Sequence, residues 1–529
     1  MTAGPQPMRR GDRVAIVGAG IAGLAAAARL AQAGCAVTVL ERHAKPGGKL
    51  RALPSAAGPV DAGPTVLTLR SVFDALFAAL GERLEDHVEL VPQEVLARHF
   101  WPDGSRLDLH ADAGATRRAI QTFAGARAAR EFAAFDRRAR RLFEAFDAPV
   151  MQAQRPSLPA VATRMARAPG LIPAMAPLSS LARLLQRSFS DPRLAQLFGR
   201  YATYVGGTPA HSPALIALIW HAEASGVWTL RGGLHRLAIV LAGLAEARGA
   251  VFHYGAHVAR IETRDGAASG VVLETGERIA AEAVLFNGDP RALAMGALGS
   301  EAALLAPQTR AAPRSLSADV WAFAARAEGP ELAHHNVFFR DDPATEFAAL
   351  ARGERAPRPT LYLCAMDRAE GDAPEGLERF EIIANAPPLT TGAPAEEPAQ
   401  CRTRIFGTLA GFGLQLTPHP PDAALTTPEG FARLFPHSEG ALYGQSPHGL
   451  MAAFRRPTAR TALPGLYLAG GGTHPGAGLP MAALSARHAA EAILSDRTSR
   501  LPSRPTATPG GTSTGSATTG RGPSASSAS

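Results

Sequence analysis

Between residues 14 and 40 the run VAIVGAGIAGLAAAARLAQAGCAVTVL is long and apolar enough to resemble a membrane span. Its internal pattern says otherwise. β-Branched residues crowd both ends, glycines break it early, and Arg29 and Gln32 interrupt its middle. The pattern predicts a buried strand over 14–17, a GxGxxG turn at 18–23, and an Ala/Leu-rich helix to about residue 33. Gly34 stops that helix, and a second strand follows over 37–40. A similar unit lies in LPGLYLAGGGTHPGAGLPMAALSARHAAEAIL at 463–494, with a strand over 466–469, a Gly-rich loop through Gly478 and a helix from Pro480. No other stretch reaches spanning length without charges, so a soluble or peripheral protein is expected. The leading MTAGPQPMRRGDR has no apolar core and does not read as a signal peptide.

Between these units the period changes. ARAAREFAAFDRRARRLFEAFDA reads as an amphipathic helix with Phe132, Phe135, Leu142, Phe143 and Phe146 available to one side. LPAVATRMARAPGLIPAMAPLSSLARLLQRSF, residues 158–189, reads as a pair of short helices broken by Pro. It carries Arg164, Arg167, Arg183 and Arg187 and is suited either to a membrane interface or to capping the protein's own core. PTLYLCAM and RFEIIANAP alternate as strands of a further sheet. The expected organisation is therefore segments of one nucleotide-binding domain at 10–95, 220–300 and 456–495. A helical subdomain occupies 96–219, a substrate-domain sheet 301–455, and a disordered Ser/Thr/Gly/Pro-rich tail 496–529.

Composition narrows the class. An apolar share of 46% with 19% charged residues argues for a packed core in the body of the 529-residue chain. The three cysteines, Cys35, Cys364 and Cys401, are far apart and form no CxxC, which argues against a disulfide framework and a zinc site and suits a reducing compartment. The net charge of +8 points to an anionic partner. Without aromatic-basic interleaving, an anionic membrane surface fits better than nucleic acid. Only two lysines occur, Lys45 and Lys49, both inside ERHAKPGGKL.

The first glycine turn carries specific chemistry. Gly18 permits the tight turn, Gly20 lets the backbone approach a pyrophosphate, and Gly23 lets helix pack on strand. Free N–H groups at the helix start favour the phosphates. Glu41 closes the second strand about 20 residues beyond the turn, where an acid hydrogen-bonds ribose hydroxyls and repels a 2′-phosphate. This reads as a dinucleotide site that disfavours NADP.

After Glu41, RHAKPGGKLRA resembles the extension of FAD-binding flavoproteins of the amine oxidase and phytoene desaturase type. The resemblance implies that Gly48 wraps the cofactor and that Lys49 or Arg51 lies near its phosphate or ribityl chain, while Lys45 is a solvated loop charge. The C-terminal Gly loop, with Gly472, Thr473 and Gly478 in register, is similar to the signature of bacterial carotenoid desaturases. It implies flavin contacts there and at the helix start, with Leu479 and Met481. VDAGPTVLT resembles the segment under the isoalloxazine, placing Gly63, Pro64 and Thr65 near the ring. AHVARI resembles the strand whose backbone at Val258 recognises adenine, and AVLFNGDP the strand returning to the flavin at Asn287. The implied fold is α/β: a Rossmann-like FAD-binding domain with a mixed-sheet substrate domain and a helical, membrane-facing subdomain.

Within that family, GPVDAGPTVLTLRSVFDALFAALGERLEDHVELVPQEVLARHFWPDGSRLDL looks most like the branch that desaturates 1-hydroxycarotenoids at carbons 3 and 4 in purple phototrophic bacteria. The implied partners are an acyclic carotenoid, the cytoplasmic side of an inner or photosynthetic membrane, and quinone or oxygen as electron acceptor. Rival readings on the same frame are a phytoene or neurosporene desaturase, a flavin-dependent isomerase, and an isoprenoid-binding escort protein. No Ser/His/Asp or Cys/His arrangement and no metal-ligand spacing stands out, so no catalytic acid, base or metal is assigned.

Overall fold

The computed structural model describes residues 12–500 apart from 304–305, 341, 372 and 393–394. The first strand, Arg13–Val17, pairs in parallel with Ala36–Glu41 on one side and Ala283–Phe286 on the other. Val251–Tyr254 and Leu466–Leu468 complete a five-stranded parallel sheet. Parallel strands need long crossovers and are covered on both faces. Here Val14, Ile16, Val37 and Val39 face helices Ile21–Gln32, His235–Glu246 and Leu479–Arg500. Ala15, Leu40, Val284 and Leu468 face a three-stranded antiparallel sheet built from Val258–Arg264, Ala267–Leu273 and Arg278–Ala280. Helix Ile21–Gln32 is buried almost all round between its two neighbours, which is why its hydropathy imitates a membrane span. Among the described residues no helix is long and apolar enough to cross a membrane.

A second, mixed sheet of eight strands runs in the order Gln415–Thr417, Ser317–Glu328, Glu378–Ala386, Leu361–Ala365, His335–Phe338, Val95–Phe100, Arg106–His110, with Leu425–Thr426 paired to Ser317–Glu328. Alternation along Glu378–Ala386 sets its two faces. Phe380, Ile382 and Ala384 pack with Trp321, Phe323 and helix Pro398–Ala410, whereas Glu381, Ile383 and Asn385 face internal cavities. Asp319, fully buried on this sheet, accepts from Arg355 Nε at 2.9 Å and from Arg404 Nη2 at 2.7 Å.

Several expected boundaries move. The helical subdomain does not begin at residue 96, because Val95–Phe100 and Arg106–His110 form a hairpin of the mixed sheet; alternation about the Pro102–Asp103–Gly104 turn is the local cause. Its helices run from Ala113–Phe146 to Leu218–Ala224, which straddles the boundary expected at 219/220. The segment 158–189 forms three helices rather than two, Leu158–Arg167, Leu171–Met175 and Leu181–Ser188. Phe132, Phe135, Leu142 and Phe146 are buried as expected, and Phe143 partly so. The last helix continues to Arg500, past the expected start of the tail; 501–529 lie outside the described residues.

Replacing Asp319 by Ala takes from Arg355 and Arg404 one of two carboxylates, Glu396 remaining 3.4 Å from Arg355 and 2.6 Å from Arg404. We expect a loss of about 1–3 kcal/mol, read as a lower urea midpoint with unchanged slope for the FAD-loaded protein.

Candidate active site

The glycine turn is held from both ends of the chain. Gly18 has φ +100° and its N–H donates to Leu40 O at 2.8 Å. A Cβ at Gly23 would stand 2.1 Å from Gly18 O, so helix and strand meet there at backbone contact. The Asn287 carboxamide donates to Gly18 O at 3.1 Å and to Gly20 O at 3.4 Å. Gly47 N donates to Ala19 O at 2.8 Å, and a Cβ at Gly48 would lie 3.1 Å from Gly20 Cα. Glu41 is buried and accepts from Ala19 N at 2.7 Å and His43 N at 2.8 Å. Each carboxylate oxygen retains a further acceptor position.

These groups wall a cavity of about 430 Å³. Of the residues expected to bind the cofactor, Gly18, Gly20, Glu41, Gly48, Lys49, Gly63, Pro64, Val258, Asn287, Gly472, Gly478 and Leu479 line it. Thr65 and Met481 line an adjoining cavity of about 810 Å³ walled chiefly by Phe, Leu, Ile, Val and Met. The two cavities share Gly63, Pro64, Ile383, Tyr443, Ala477, Gly478 and Leu479. Gly23 sits behind the turn, where its role is packing. Arg51 and Thr473 line neither cavity. Arg51 is drawn toward the mixed sheet, donating to Thr426 Oγ1 at 2.7 Å with its guanidinium 5.5 Å from the Phe431 ring. Thr473 is fully buried in the loop. The bare backbone of Gly20, Gly48 and Gly63 suits close approach by a dinucleotide: a Cβ at Gly63 would lie 2.0 Å from Lys49 O. FAD fits this donor set.

The charges around the shared wall are unusual. The Lys49 ammonium donates to Leu442 O at 2.5 Å, and burial pushes its pKa down to about 8, with Asp289 pulling the other way and Arg314 and Arg456 adding repulsion. Lys45 is exposed, as expected. Glu381 is fully buried with no hydrogen-bond partner on either oxygen among the described residues. Burial and the nearby Asp61 carboxyl raise its pKa well above the usual range; the Gly63 N–H faces it and Arg51 favours its charged form without reversing the shift. Glu381, Ile383, Tyr443 and Arg456 went unrecognised in the sequence. The polar Glu381 at an inward position of an alternating strand was the one visible signal. His474 Nε2 meets Ala153 O at 2.9 Å. His334, His335 and Cys364 bring their ligand atoms within 4.8 Å of one another, a grouping across two strands that sequence spacing hides. His335 Nδ1 is already engaged by Tyr362 Oη at 2.7 Å.

The match to the model of the flavin containing amine oxidoreductases spans residues 21–494. The chain belongs to that family. Hydroxyneurosporene desaturase of Cereibacter sphaeroides is 57% identical over 488 residues, covering 92% of this chain and 98% of the relative. The protein of the same name from Rhodobacter capsulatus is 53% identical over 494 residues, covering 93% and 99%. Among solved structures, a putrescine oxidase redesigned in its cofactor binding aligns with TM-score 0.58 and 16% identity over 92% of this chain and 99% of its own, a likeness of fold.

Two outcomes follow from the cradle. Gly23→Ala drives a methyl into Gly18 O, and the protein should purify without flavin colour. Gly34→Ala, with φ +85° and nothing within 4 Å of the added Cβ, should keep its flavin and lose only about 1 kcal/mol. For Lys49, a bound anion raises the ammonium pKa, so binding takes up a proton above the free value of about 8. FAD affinity, measured by titrating apoprotein, should therefore weaken as pH rises past about 8, and Lys49→Met should abolish that pH step.

Proposed function

We propose that this protein is an FAD-dependent carotenoid desaturase that forms the double bond between carbons 3 and 4 of acyclic 1-hydroxycarotenoids. The observation that carries the reading is the shared wall: a dinucleotide cavity and a large apolar cavity meet along Gly63–Pro64 and Gly478–Leu479. The similarity to the two hydroxyneurosporene desaturases supports the substrate class. FAD, when bound, supplies the acceptor for a hydride leaving carbon 4, while a proton leaves carbon 3 and the C3–C4 single bond becomes double. The chain's own contribution is placement and dryness. Phe143, Phe146, Ile216 and Ile219 give the polyene apolar walls, and at Gly63 the wall toward the cofactor cavity has no side chain. A cation spread along a conjugated chain is acidic enough to need no strong base, in keeping with the neutral groups at this wall.

The route in favours a membrane source. Leu158, Leu450 and Met451 both line the apolar cavity and reach the surface, and Leu178 nearby is 96% exposed. Arg164, Arg167, Arg183 and Arg187 are exposed on the same group of helices. An apolar rim ringed by Arg suits a surface of anionic lipid from which a carotenoid enters. A quinone in that membrane or dissolved oxygen serves as the electron acceptor.

In a host supplied separately with a 1-hydroxylated acyclic carotenoid and with phytoene, the first should gain one conjugated double bond and the second should be unchanged. Conversion of phytoene alone would overturn the site of reaction. The purified protein should also float with anionic vesicles more than with neutral ones, and Leu178→Asp should weaken that binding several-fold.

A further inference from the structure

The substrate's distinguishing group is a hydroxyl close to the reacting bond, and the apolar cavity must supply a polar partner for it. Most polar side chains that line this cavity are already engaged. Arg200 Nη1 donates to Tyr204 Oη at 2.9 Å, Glu223 Oε1 accepts from Tyr201 Oη at 2.7 Å, and Thr203 Oγ1 donates to Arg200 O at 2.8 Å. Tyr362 Oη lies 2.5 Å from Thr65 Oγ1 and 2.7 Å from His335 Nδ1, and Arg456 is spent on backbone carbonyls.

Asn385 differs. Its Nδ2 donates to Glu346 Oε1 at 3.2 Å, and Glu346 Oε2 accepts from Thr360 N at 3.0 Å. Glu346 is buried, so the carboxamide is anchored from behind. Asn385 lines the apolar cavity, and its Oδ1 and second N–H are not used by any of these bonds. Strand geometry then acts as a ruler. Glu381, Ile383 and Asn385 share one face of Glu378–Ala386: Glu381 lines the dinucleotide cavity, Ile383 the wall common to both, and Asn385 the apolar cavity alone. Asn385 is two residues, roughly 6.6 Å, along the strand from Ile383. Three carbon–carbon bonds and one carbon–oxygen bond separate carbon 4 of the substrate from its hydroxyl oxygen, a span of similar size.

The geometry points to Asn385, held by Glu346, as the receptor for the substrate's terminal hydroxyl, setting carbons 3 and 4 at the wall shared with the cofactor cavity. This rests on the desaturase reading above and adds the residue that makes the enzyme selective for hydroxylated ends. The carboxamide offers an acceptor and a donor, so it can serve a hydroxyl in both roles. An end group without oxygen leaves it unpaired in an apolar pocket, which costs binding.

The test compares kcat/KM of the FAD-loaded protein for a 1-hydroxylated carotenoid and for the same polyene without the hydroxyl. In Asn385→Leu the preference for the hydroxylated substrate should fall ~10-fold or more, with KM for that substrate rising and the flavin spectrum unchanged. Glu346→Met, which removes the carboxylate that holds the Asn385 carboxamide, should reduce the same ratio less and gives a second reading if Asn385→Leu folds poorly. A general loss of structure would lower both substrates alike and leave the ratio intact. An unchanged ratio in a flavin-loaded Asn385→Leu protein overturns the assignment while the desaturase reading stands. Absence of turnover of any hydroxylated substrate by the unsubstituted protein overturns that reading and this assignment with it.

Discussion

The donation from the Asn287 carboxamide to the carbonyls of Gly18 and Gly20 is the contact on which the site depends. It joins the first strand-turn of the chain to a strand that arrives 269 positions later. Gly470 closes against the same side chain, since a Cβ there would stand 2.9 Å from Asn287 Oδ1. Three distant segments thus converge on one amide group, and the glycines exist so that backbones can meet it. With a side chain at Gly20 or Gly23 the turn could not keep both its packing against the helix and its open face toward a pyrophosphate.

From that fixed cradle the rest of the enzyme is a matter of where the two sheets face. The parallel sheet ends at the glycine turns, and the mixed sheet presents Glu381, Ile383 and Asn385 across from them. A single strand with period two therefore passes from the cofactor's cavity to the substrate's. The helical block covers the apolar cavity and sends Phe143 and Phe146 into it, while its outer surface carries the exposed Arg and Leu side chains. Chemistry on a water-insoluble chain asks for this division: polar recognition of the dinucleotide on one side, dry apolar walls on the other, and uncharged residues, Gly63, Pro64 and Gly478 with Ile383, Tyr443, Ala477 and Leu479, at the boundary.

Legibility in the sequence followed the range of the interactions. The GxGxxG turn, its helix and Glu41 are local, so pattern placed them closely: the helix expected after residue 23 begins three positions earlier, at Ile21, and ends at Gln32. ERHAKPGGKL was partly legible: Lys45 is exposed and Lys49 lines the cavity, but the bond from Lys49 to Leu442 O spans 393 positions and could not be read from spacing. Arg51 turns to the mixed sheet because Thr426 and Phe431 take it there, and neither is near it in sequence. The hairpin Val95–Phe100 and Arg106–His110 is local alternation about a turn, but its place in the mixed sheet depends on His335–Phe338, far along the chain. Glu381 and Asn385 sat in plain view in RFEIIANAP, yet their meaning appears only when the strand's inner face is set against Gly63.

The central claim is direct transfer across the wall formed by Gly63, Pro64, Gly478 and Leu479. The measurement that tests it most directly is anaerobic mixing of the oxidised, FAD-loaded protein with a 1-hydroxylated carotenoid in anionic vesicles, following flavin and polyene absorbance together in a single turnover. The account predicts that flavin colour is lost at the same rate as one conjugated double bond is gained, one for one. A polyene that lengthens while the flavin stays oxidised, or isomerises without any change in flavin, would contradict it.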